Sequence, residues 1–239
     1  MERPARGVAI SQGADYRYER KFHAPCWALS QVELAVKVHP GHFRVAFPPR
    51  YINNVYFDTP SFDDYHVHVN GAAVRSKLRL RWYGAARGQV ARPVLEIKAK
   101  VGDVGHKPSF PLGQVDIGDR WDRTAFAHCI DSAGVPPAVR ERLARSRPSL
   151  FNRYHRRYYA TTDGLFRLTV DTELRFQTLG RRPYGPRRIF EERNLVIIEL
   201  KYAGEHDALA QRISAGLPFR LTKMSKYLHG VQVLAGLGE

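Results

Sequence analysis

Basic and apolar residues alternate in a segment near position 80, where every second side chain is positively charged. Arg79 and Arg81 belong to this row, and a leucine separates each of them from the basic residue before it. A second pattern, Glu-x-Lys, begins at Glu19, Glu96 and Glu199 in three separate segments. Arginine holds phosphate oxygens through paired hydrogen bonds and lysine acts as a point charge, while carboxylates can ligate Mg²⁺ or Mn²⁺. These residue types indicate a site for a chain of phosphates together with a divalent cation.

The alternation predicts β-strands, because successive side chains on a strand point to opposite faces of a sheet. Strand patterns cover Tyr16–Phe22, Ile52–Asp58, Arg75–Tyr83, Val94–Lys100, Arg153–Ala160, Phe166–Phe176, Arg188–Glu192 and Leu195–Tyr202. Helical patterns cover Cys26–Val38, Asp122–Ala133, Pro137–Arg145, Asp207–Ala215 and Ser225–Ala235. Strands without a helix after each one favour an antiparallel sheet or barrel over an alternating strand–helix fold.

Two arrangements suit such strands. An amphipathic sheet exposes its charged face to water and buries its apolar face, and on periodicity alone this is the simpler interpretation. The alternative is a barrel whose charged face points inward and whose apolar outside is covered by helices. The repeated Glu-x-Lys pattern and the single-sign row favour the barrel, because a lumen of like charges needs an anion or carboxylates to neutralise it.

The overall charge is strongly positive. The 239 residues include 38 Lys and Arg against 23 Asp and Glu, which gives a formal net charge of +15. An excess of this size predicts a polyanionic partner such as nucleic acid, nucleotide, polyphosphate or an acidic lipid surface. The hydrophobic fraction of 44% is ample for a packed core. We therefore expect one domain over residues 15–239 and a flexible tail over residues 1–14.

Several classes of protein are disfavoured. Cys26 and Cys129 have no metal-binding spacing. No segment approaches the roughly 20 apolar residues of a membrane span, and the first residues lack the apolar centre of a secretion signal. No nucleic-acid-binding signature is present, and the aromatic residues fall mostly on apolar strand faces. The expectation is a cytoplasmic protein without a specific nucleic-acid partner.

Motifs that follow one another in a fixed order resemble those of a known family. They are Tyr18-Glu19-Arg20-Lys21-Phe22, Val55-Tyr56-Phe57-Asp58-Thr59, Lys77-Leu78-Arg79-Leu80-Arg81-Trp82-Tyr83-Gly84, Leu95-Glu96-Ile97-Lys98, Asn152-Arg153, Arg167-Leu168-Thr169-Val170-Asp171-Thr172, Glu199-Leu200-Lys201-Tyr202 and Ser225-Lys226-Tyr227-Leu228-His229-Gly230. The ordered set resembles the polyphosphate polymerase domain of the vacuolar transporter chaperone (VTC) family, within the triphosphate tunnel metalloenzyme (CYTH-like) superfamily. It covers nearly the whole chain.

The resemblance implies an α+β fold, with a closed antiparallel β-barrel tunnel of about eight strands, a charged lumen and flanking helices. It implies an ATP-dependent phosphotransferase that adds the γ-phosphate of ATP to a growing polyphosphate chain, with Mn²⁺ or Mg²⁺ as cofactor. ATP and polyphosphate would be the partners. The chain lacks the membrane helices of the eukaryotic complex, so a membrane-protein partner would be a separate polypeptide.

The functional residues of the family carry over position by position. Catalytic contacts to phosphate would come from Arg79, Arg81, Arg153, Arg167 and Lys226. Further substrate-binding residues would be Lys21, Lys98, Lys107 and Lys201. The metal would be held chiefly by Glu199, with Glu19 and Glu96 as weaker candidates. Asp171 is expected to pair with an arginine of the lumen, and His155 to be structural.

One departure from the superfamily pattern bears on the activity. Arg17 stands where the opening motif of the superfamily has a glutamate, which favours the polymerase branch over the triphosphatase branch. Three alternatives stay open. The lumen could hydrolyse triphosphate or polyphosphate with water as nucleophile, or bind polyphosphate or nucleotide without turnover. Nucleic-acid binding is the third alternative, suggested by the basic charge and the strand aromatics.

Overall fold

The computed structural model describes residues 17–101, 104–118, 122–179 and 188–235. Its strands are β1 (Arg17–Pro25), β2 (Arg44–Asp58), β3 (Val74–Tyr83), β4 (Gly88–Val90), β5 (Val94–Val101), β6 (Val104–His106), β7 (Ser109–Pro111), β8 (Val115–Ile117), β9 (Arg147–Ala160), β10 (Arg167–Thr178), β11 (Ile189–Glu192), β12 (Leu195–Ala203) and β13 (Arg220–Thr222). Its helices are α1 (Leu29–Lys37), α2 (Asp63–Val69), α3 (Arg123–Ser132), α4 (Pro137–Arg145), α5 (Asp207–Ala215) and α6 (Lys226–Ala235). The fold is of mixed α+β class, and no described helix is long and apolar enough to cross a membrane.

One antiparallel sheet organises the described part of the chain. Its strands follow the order β11-β10-β12-β1-β6-β5-β3-β2-β9, with β7 beside β5 and β13 beside β1. β9 also pairs with β10, so the sheet curls strongly back on itself. On the other side, the short β6 meets β1 only where Gly105 lies opposite Arg17.

The sheet is therefore a half-barrel flanked by helices, and not a closed barrel. The predicted antiparallel pairing, charged concave side and helical cover are confirmed, whereas the predicted closure is not. The physical reason lies in β6, which has three residues and cannot form a continuous ladder of hydrogen bonds along β1. A sheet edge joined at one residue pair lacks the repeated pairing that holds the other strands together.

Helices cover the convex, apolar face of the sheet in two places. Val32 and Val36 of α1 pack with residues of β1, β10 and β12, among them Leu168 and Leu200. On the β2-β3-β5 side, α3 and α4 pack against a second cluster centred on Trp82. This burial leaves the opposite, charged face of the same strands pointing into the concavity.

Helix α6 lies on the concave side. Its Tyr227, Val231 and Leu234 pack against a cluster that includes Leu150 and Phe176. The apolar part of the concave face is thus filled by a helix, and the charged part is left as the lining of a cup.

A β-bulge in β10 changes which residues face the cup. The register with β9 shifts between Thr172 and Arg175, and Glu173 has a positive φ of 53°. Strict alternation predicted Leu174 and Phe176 opposite Asp171, but the extra residue of the bulge brings them to the same concave face. The strand therefore contributes a charged half and an apolar half to one surface.

The predicted elements are largely present, with altered ends. The first helix is shorter than the predicted Cys26–Val38, and its buried residues are Val32 and Val36. Trp27, Leu34 and Val38, which the pattern placed in the core, are exposed. Helix α2 and the three-residue strands were not predicted, and the predicted tail of residues 1–14 lies outside the described residues.

Candidate functional site

The first group of charged side chains in the cup surrounds Glu96, whose side chain is fully buried. Arg79 lies opposite Glu96 in the β3–β5 ladder, and its Nη2 is 2.7 Å from Oε2. Arg81 Nη2 is 2.7 Å from Oε1, and Lys107 Nζ donates to Oε1 at 2.9 Å. Burial would raise the pKa of Glu96, but these three cations outweigh it and lower the pKa to about 2. Three cations around one carboxylate leave a surplus of positive charge.

The second group is built on Asp171 and Glu199. Arg156 makes two hydrogen bonds of 2.6 Å to Asp171 and reaches Glu199 at 3.1 Å. Lys226 Nζ lies 2.6 Å from Asp171 and 3.4 Å from Glu199, and Lys201 donates to Glu199 at 2.8 Å. All five side chains are at least largely buried, so these ion pairs are weakly screened by water.

The pKa values of the second group follow from this arrangement. Burial raises the pKa of Glu199, but Lys201, Lys226 and Arg156 hold it well below its usual range. Burial lowers the pKa of Lys226, but Asp171 and Glu199 together raise it above its ordinary value. Glu199 and Lys226 therefore both keep their charge at neutral pH.

The third group joins β1 to β5. Lys98 Nζ donates to Glu19 Oε2 at 3.2 Å, and Lys21 Nζ lies 3.5 Å from Glu19 Oε1. Burial would raise the pKa of Glu19, whereas Lys98 and Lys21 lower it, with net lowering. Lys21 also donates to the main-chain oxygen of Met224 at 3.3 Å, just before α6.

Lys77 is a cation of the cup that has no carboxylate partner among the described residues. Its Nζ donates to Ser225 Oγ at 2.7 Å. Burial, followed by the charges of Lys21 and Lys98, lowers the pKa of Lys77 to about 6. Burial and two neighbouring cations therefore both oppose a positive charge on Lys77.

A buried carboxylate positions the helix that carries Lys226. Asp58 accepts hydrogen bonds from the main-chain N–H groups of Asp64 at 3.0 Å and Tyr65 at 3.1 Å, at the start of α2. It also accepts a hydrogen bond from the hydroxyl of Tyr227. Because Tyr227 directly follows Lys226, Asp58 fixes the entry of α6 into the cup.

The structure brings together most of the residues predicted from the sequence. Those that line the cup are Lys21, Arg79, Arg81, Lys98, Lys107, Lys201, Lys226, Glu19, Glu96 and Glu199. Arg167 begins β10 opposite Lys201, and it is exposed. It lies at the open edge of the same face.

Arg153 does not join them. Tyr154 belongs to the cluster beneath α6, so its neighbour Arg153 points to the convex side, where its guanidinium stacks on the ring of Tyr51 at 3.9 Å. Arg157 shares this convex side and pairs with Glu33 of α1 at 2.8 Å. The inward-facing arginine of β9 is Arg156.

Sequence reasoning missed two cup residues. Lys77 was recognised in the basic row but was not among the predicted site residues. Arg156 was not predicted either, because it is adjacent to Arg157 and the charge pattern of the strand is compatible with either residue facing inward. The predicted pairing of Asp171 with an arginine of the cup is confirmed, and Arg156 is its partner. The apolar Tyr154, two positions away on the same face, is the signal that would have identified Arg156.

The carboxylates of the cup offer few free oxygens to a divalent cation. Among the described residues, no group of three or more His, Cys, Asp or Glu side chains could hold a metal ion. Both oxygens of Glu96 and of Glu199 are engaged by cations. Glu19 Oε1, in contrast, is buried without a hydrogen-bond partner. Mg²⁺ commonly takes one or two carboxylates and completes its shell with phosphate oxygens and water, so these residues fit a cation that arrives with phosphate.

A solved structure of protein PH1819 from Pyrococcus horikoshii OT3 has a similar fold, with a TM-score of 0.51 and 12% identity over 91% of this chain and 99% of that one. A putative adenylate cyclase from Vibrio parahaemolyticus gives a TM-score of 0.49 and 15% identity over 89% and 95% of the two chains. The putative adenylyl cyclase HpAC1 from Hippeastrum, described as having a dominant triphosphatase activity, gives 0.45 and 16% over 90% and 96%.

Among curated protein sequences, none matches this chain significantly. The family model of the VTC domain, however, matches residues 48–235. That range includes most of the cup, from the Asp58 anchor and the β3 arginines to Lys226 on α6. The chain therefore belongs to the VTC domain family.

Proposed function

We propose that this protein transfers the γ-phosphate of ATP to a growing polyphosphate chain held in the cup. The observation that carries the proposal is an excess of basic side chains over carboxylates in the cup. The cations that line the cup within the described residues are Lys21, Lys77, Arg79, Arg81, Lys98, Lys107, Arg156, Lys201 and Lys226. The carboxylates that line the cup within the same residues are fewer: Glu19, Glu96, Asp171 and Glu199.

Such an excess is unfavourable in an empty site, because buried like charges repel one another and have lost their hydration. A chain of phosphates removes this cost, since each phosphate brings negative charge and oxygens that accept several hydrogen bonds. Membership of the VTC domain family supports a ligand of the polyphosphate or nucleoside triphosphate class.

The proposed reaction is an in-line displacement. A terminal oxygen of the acceptor chain attacks the γ-phosphorus of ATP, the bond to the β–γ bridging oxygen breaks, and ADP leaves with that electron pair. The attacking oxygen is already anionic, so no general base is needed. Arg79, Arg81 and Arg156 neutralise the equatorial oxygens, and catalysis consists mainly of positioning and electrostatic stabilisation.

The lysines hold the flanking phosphates. Lys226 is fixed from behind by the Asp58–Tyr227 contact, and Lys21 by the main-chain oxygen of Met224. Glu19 would hold the divalent cation, Mn²⁺ or Mg²⁺, together with phosphate oxygens, and Glu199 would join it once phosphate draws Lys201 or Lys226 away from its oxygens. Bound there, the cation would neutralise charge on the transferred group and its leaving group. A donor as abundant inside cells as ATP accords with the cytoplasmic location expected from the sequence.

The test is incubation of the protein with ATP and Mn²⁺, followed by gel sizing of the products. We expect long polymer, and we expect Arg79→Ala to lower its rate of formation by roughly 10²–10³ if the guanidinium contacts the transferred group. Circular dichroism checks that the variant is folded. Glu199→Gln should also lower the rate of polymer formation. Orthophosphate without polymer would indicate hydrolysis instead, and tight ATP binding without turnover would indicate a binding module. Wild-type rates in both variants would contradict the assignment.

A further inference from the structure

The open edge of the cup carries a group of aromatic rings that the phosphate site does not use. Tyr83 lies two residues beyond Arg81 on β3, and Tyr158 two residues beyond Arg156 on β9. Alternation along a strand therefore directs both rings to the same face as these arginines. Arg50 of β2 lies between them, with its guanidinium carbon 4.0 Å from the Tyr83 ring centre and 5.1 Å from that of Tyr158. We call Arg50, Tyr83, Tyr158 and the neighbouring Phe47 the rim cluster.

The rim cluster is ordered but accessible. Arg50 Nε donates to the hydroxyl of Tyr158 at 3.0 Å, and Phe47 meets Tyr158 edge-to-face at 5.9 Å. Tyr83 is 42% exposed and Phe47 58% exposed. These four residues are absent from the three apolar clusters formed by the described residues. Their rings are thus held at the surface by one another and by Arg50, with apolar area left uncovered.

Arg50 has a further property that sets it apart from an ordinary surface arginine. It forms no ion pair with a carboxylate of the described residues, and its contacts are with the two tyrosine rings. Guanidinium groups stacked on aromatic rings provide flat platforms on which a nucleobase can stack.

The rim cluster is continuous with the phosphate site. Arg81, which binds Glu96, also lies 5.6 Å from the Tyr83 ring centre. A triphosphate bound along Arg79 and Arg81 would therefore leave its nucleoside end beside Tyr83. On β9, Tyr158 lies two residues beyond Arg156 on the same face.

We propose that the rim cluster is a nucleoside-binding subsite, in which the base of the donor nucleotide stacks on Tyr83 or Tyr158. The proposal rests on the proposed function only in placing the triphosphate among the buried cations. Every base has an aromatic face, and stacking alone discriminates poorly between bases. The subsite is therefore expected to accept ATP and GTP with similar affinity.

The experiment compares two ligands that share the triphosphate and differ in the nucleoside: ATP and inorganic tripolyphosphate. Their dissociation constants are measured by calorimetry for the wild type, for Tyr83→Ala and Tyr158→Ala, and for the double variant. We expect the double variant to bind ATP roughly 5- to 100-fold more weakly, the range that stacking contributes, and tripolyphosphate within about twofold of wild type. Tyr83→Phe, which keeps the ring, should retain ATP affinity.

The outcomes separate this inference from the proposed function. Tripolyphosphate binding also reports that the variants are folded. Equal losses for both ligands, or unchanged affinity for both, would overturn the nucleoside subsite. If the wild type forms no polymer, the proposed function fails, while the ratio of the two affinities still decides the role of the rim cluster. If ATP does not bind at all, the subsite is overturned with it.

Discussion

Lys77 is the residue whose ionisation should respond most to ligand. Its pKa in the folded protein is about 6, against the usual 10.5. Between these two pH values the unfolded chain holds the proton and the folded protein does not, so this group makes stability rise with pH over that window. At lower pH the folded protein must accept the charge beside Lys21 and Lys98. A phosphate bound nearby would reverse the effect and raise the pKa of Lys77 again.

The first prediction is that tripolyphosphate binding at pH 8 takes up protons. Lys77 is largely neutral there without ligand and becomes charged beside the anion. Calorimetry in buffers with different ionisation enthalpies measures the number of protons taken up, and Lys77→Met should reduce that number. Binding heats that are the same in every buffer would contradict this role for Lys77. Lys21, whose pKa is also lowered by burial, could account for uptake that remains in the variant.

Two arginines of one strand provide a second prediction. Arg156 binds the carboxylates of the cup, whereas Arg153 stacks on Tyr51 on the opposite face. We expect Arg156→Ala to lower the rate of phosphate transfer by roughly 10²–10³, and Arg153→Ala to leave it near the wild-type value. Steady-state rates with ATP and Mn²⁺ measure both, and circular dichroism confirms that Arg156→Ala is folded. If Arg153→Ala lowers the rate as much as Arg156→Ala does, Arg153 cannot lie on the convex side of β9.

At the scale of elements, α6 depends on close approach to the sheet. A Cβ atom added to Gly230 would lie 2.5 Å from Phe176 Cδ1 and 2.7 Å from Leu150 Cδ2. The side chains of Phe176 and Leu150 cannot move away easily, because both are buried beneath the helix. The glycine therefore sets how deeply α6 enters the cup, and with it the position of Lys226.

The third prediction follows from this contact. Gly230→Ala should lower the free energy of unfolding by about 1–3 kcal/mol, the usual cost of overpacking a core, and should weaken tripolyphosphate binding because Lys226 is displaced. Urea denaturation measures the first effect and calorimetry the second. Gly113→Ala is the matched control, since nothing lies within 4 Å of a Cβ atom there. Equal stability of the two variants would show that α6 can shift without cost.

The sequence predicted the elements with unbroken alternation better than the others. In β5 and in β3 from Lys77 onward, each charged residue alternates with an apolar one, so the alternation correctly placed Arg79 and Arg81 on one face of β3 and Glu96 on the charged face of β5. That this face points inward followed only from the repeated Glu-x-Lys pattern and the single-sign row. In β9 the adjacent Arg156 and Arg157 fit either face, and tertiary packing of Tyr154 decides between them. In β10 the bulge breaks the period of two.

Closure and the rim cluster lay beyond sequence reasoning for a different reason. How far a curled sheet closes depends on pairing between β1 and β6, which are distant in sequence and meet at one residue pair. The rim cluster likewise joins Arg50, Tyr83 and Tyr158 from three strands. Neither arrangement leaves a local pattern, because each is made by the register of the whole sheet.

At the scale of the whole molecule, the positive charge should make stability depend on ligand. The chain carries a formal net charge of +15. Part of this charge lies on basic side chains that line the cup and repel one another. A polyanion that binds only the folded state stabilises it by mass action. The bound polyanion also reduces the repulsion between the positive charges of the cup.

The fourth prediction is a ligand-dependent rise in melting temperature. Tripolyphosphate at about 100 times its dissociation constant should add about 2.7 kcal/mol, which for a chain of this size raises the midpoint by about 5–10 °C. Thermal denaturation at several ligand concentrations measures the shift. Raising the salt concentration should shrink it, because ions screen the attraction at the open edge. Sodium chloride alone at the same ionic strength is the control, and an equal rise with salt would contradict specific binding.

The bulge at Glu173 has a consequence for how the protein tolerates change. Glu173 is the extra residue that lets Asp171 and Leu174, three positions apart, share the concave face. Deleting Glu173 would bring these two residues to a spacing of two, so Leu174 and Phe176 would still face the cup and support α6. Deleting a residue elsewhere in β10 would instead turn the residues beyond it to the opposite face. The strand should therefore tolerate the loss of one residue at the bulge better than the loss of one residue at its other positions.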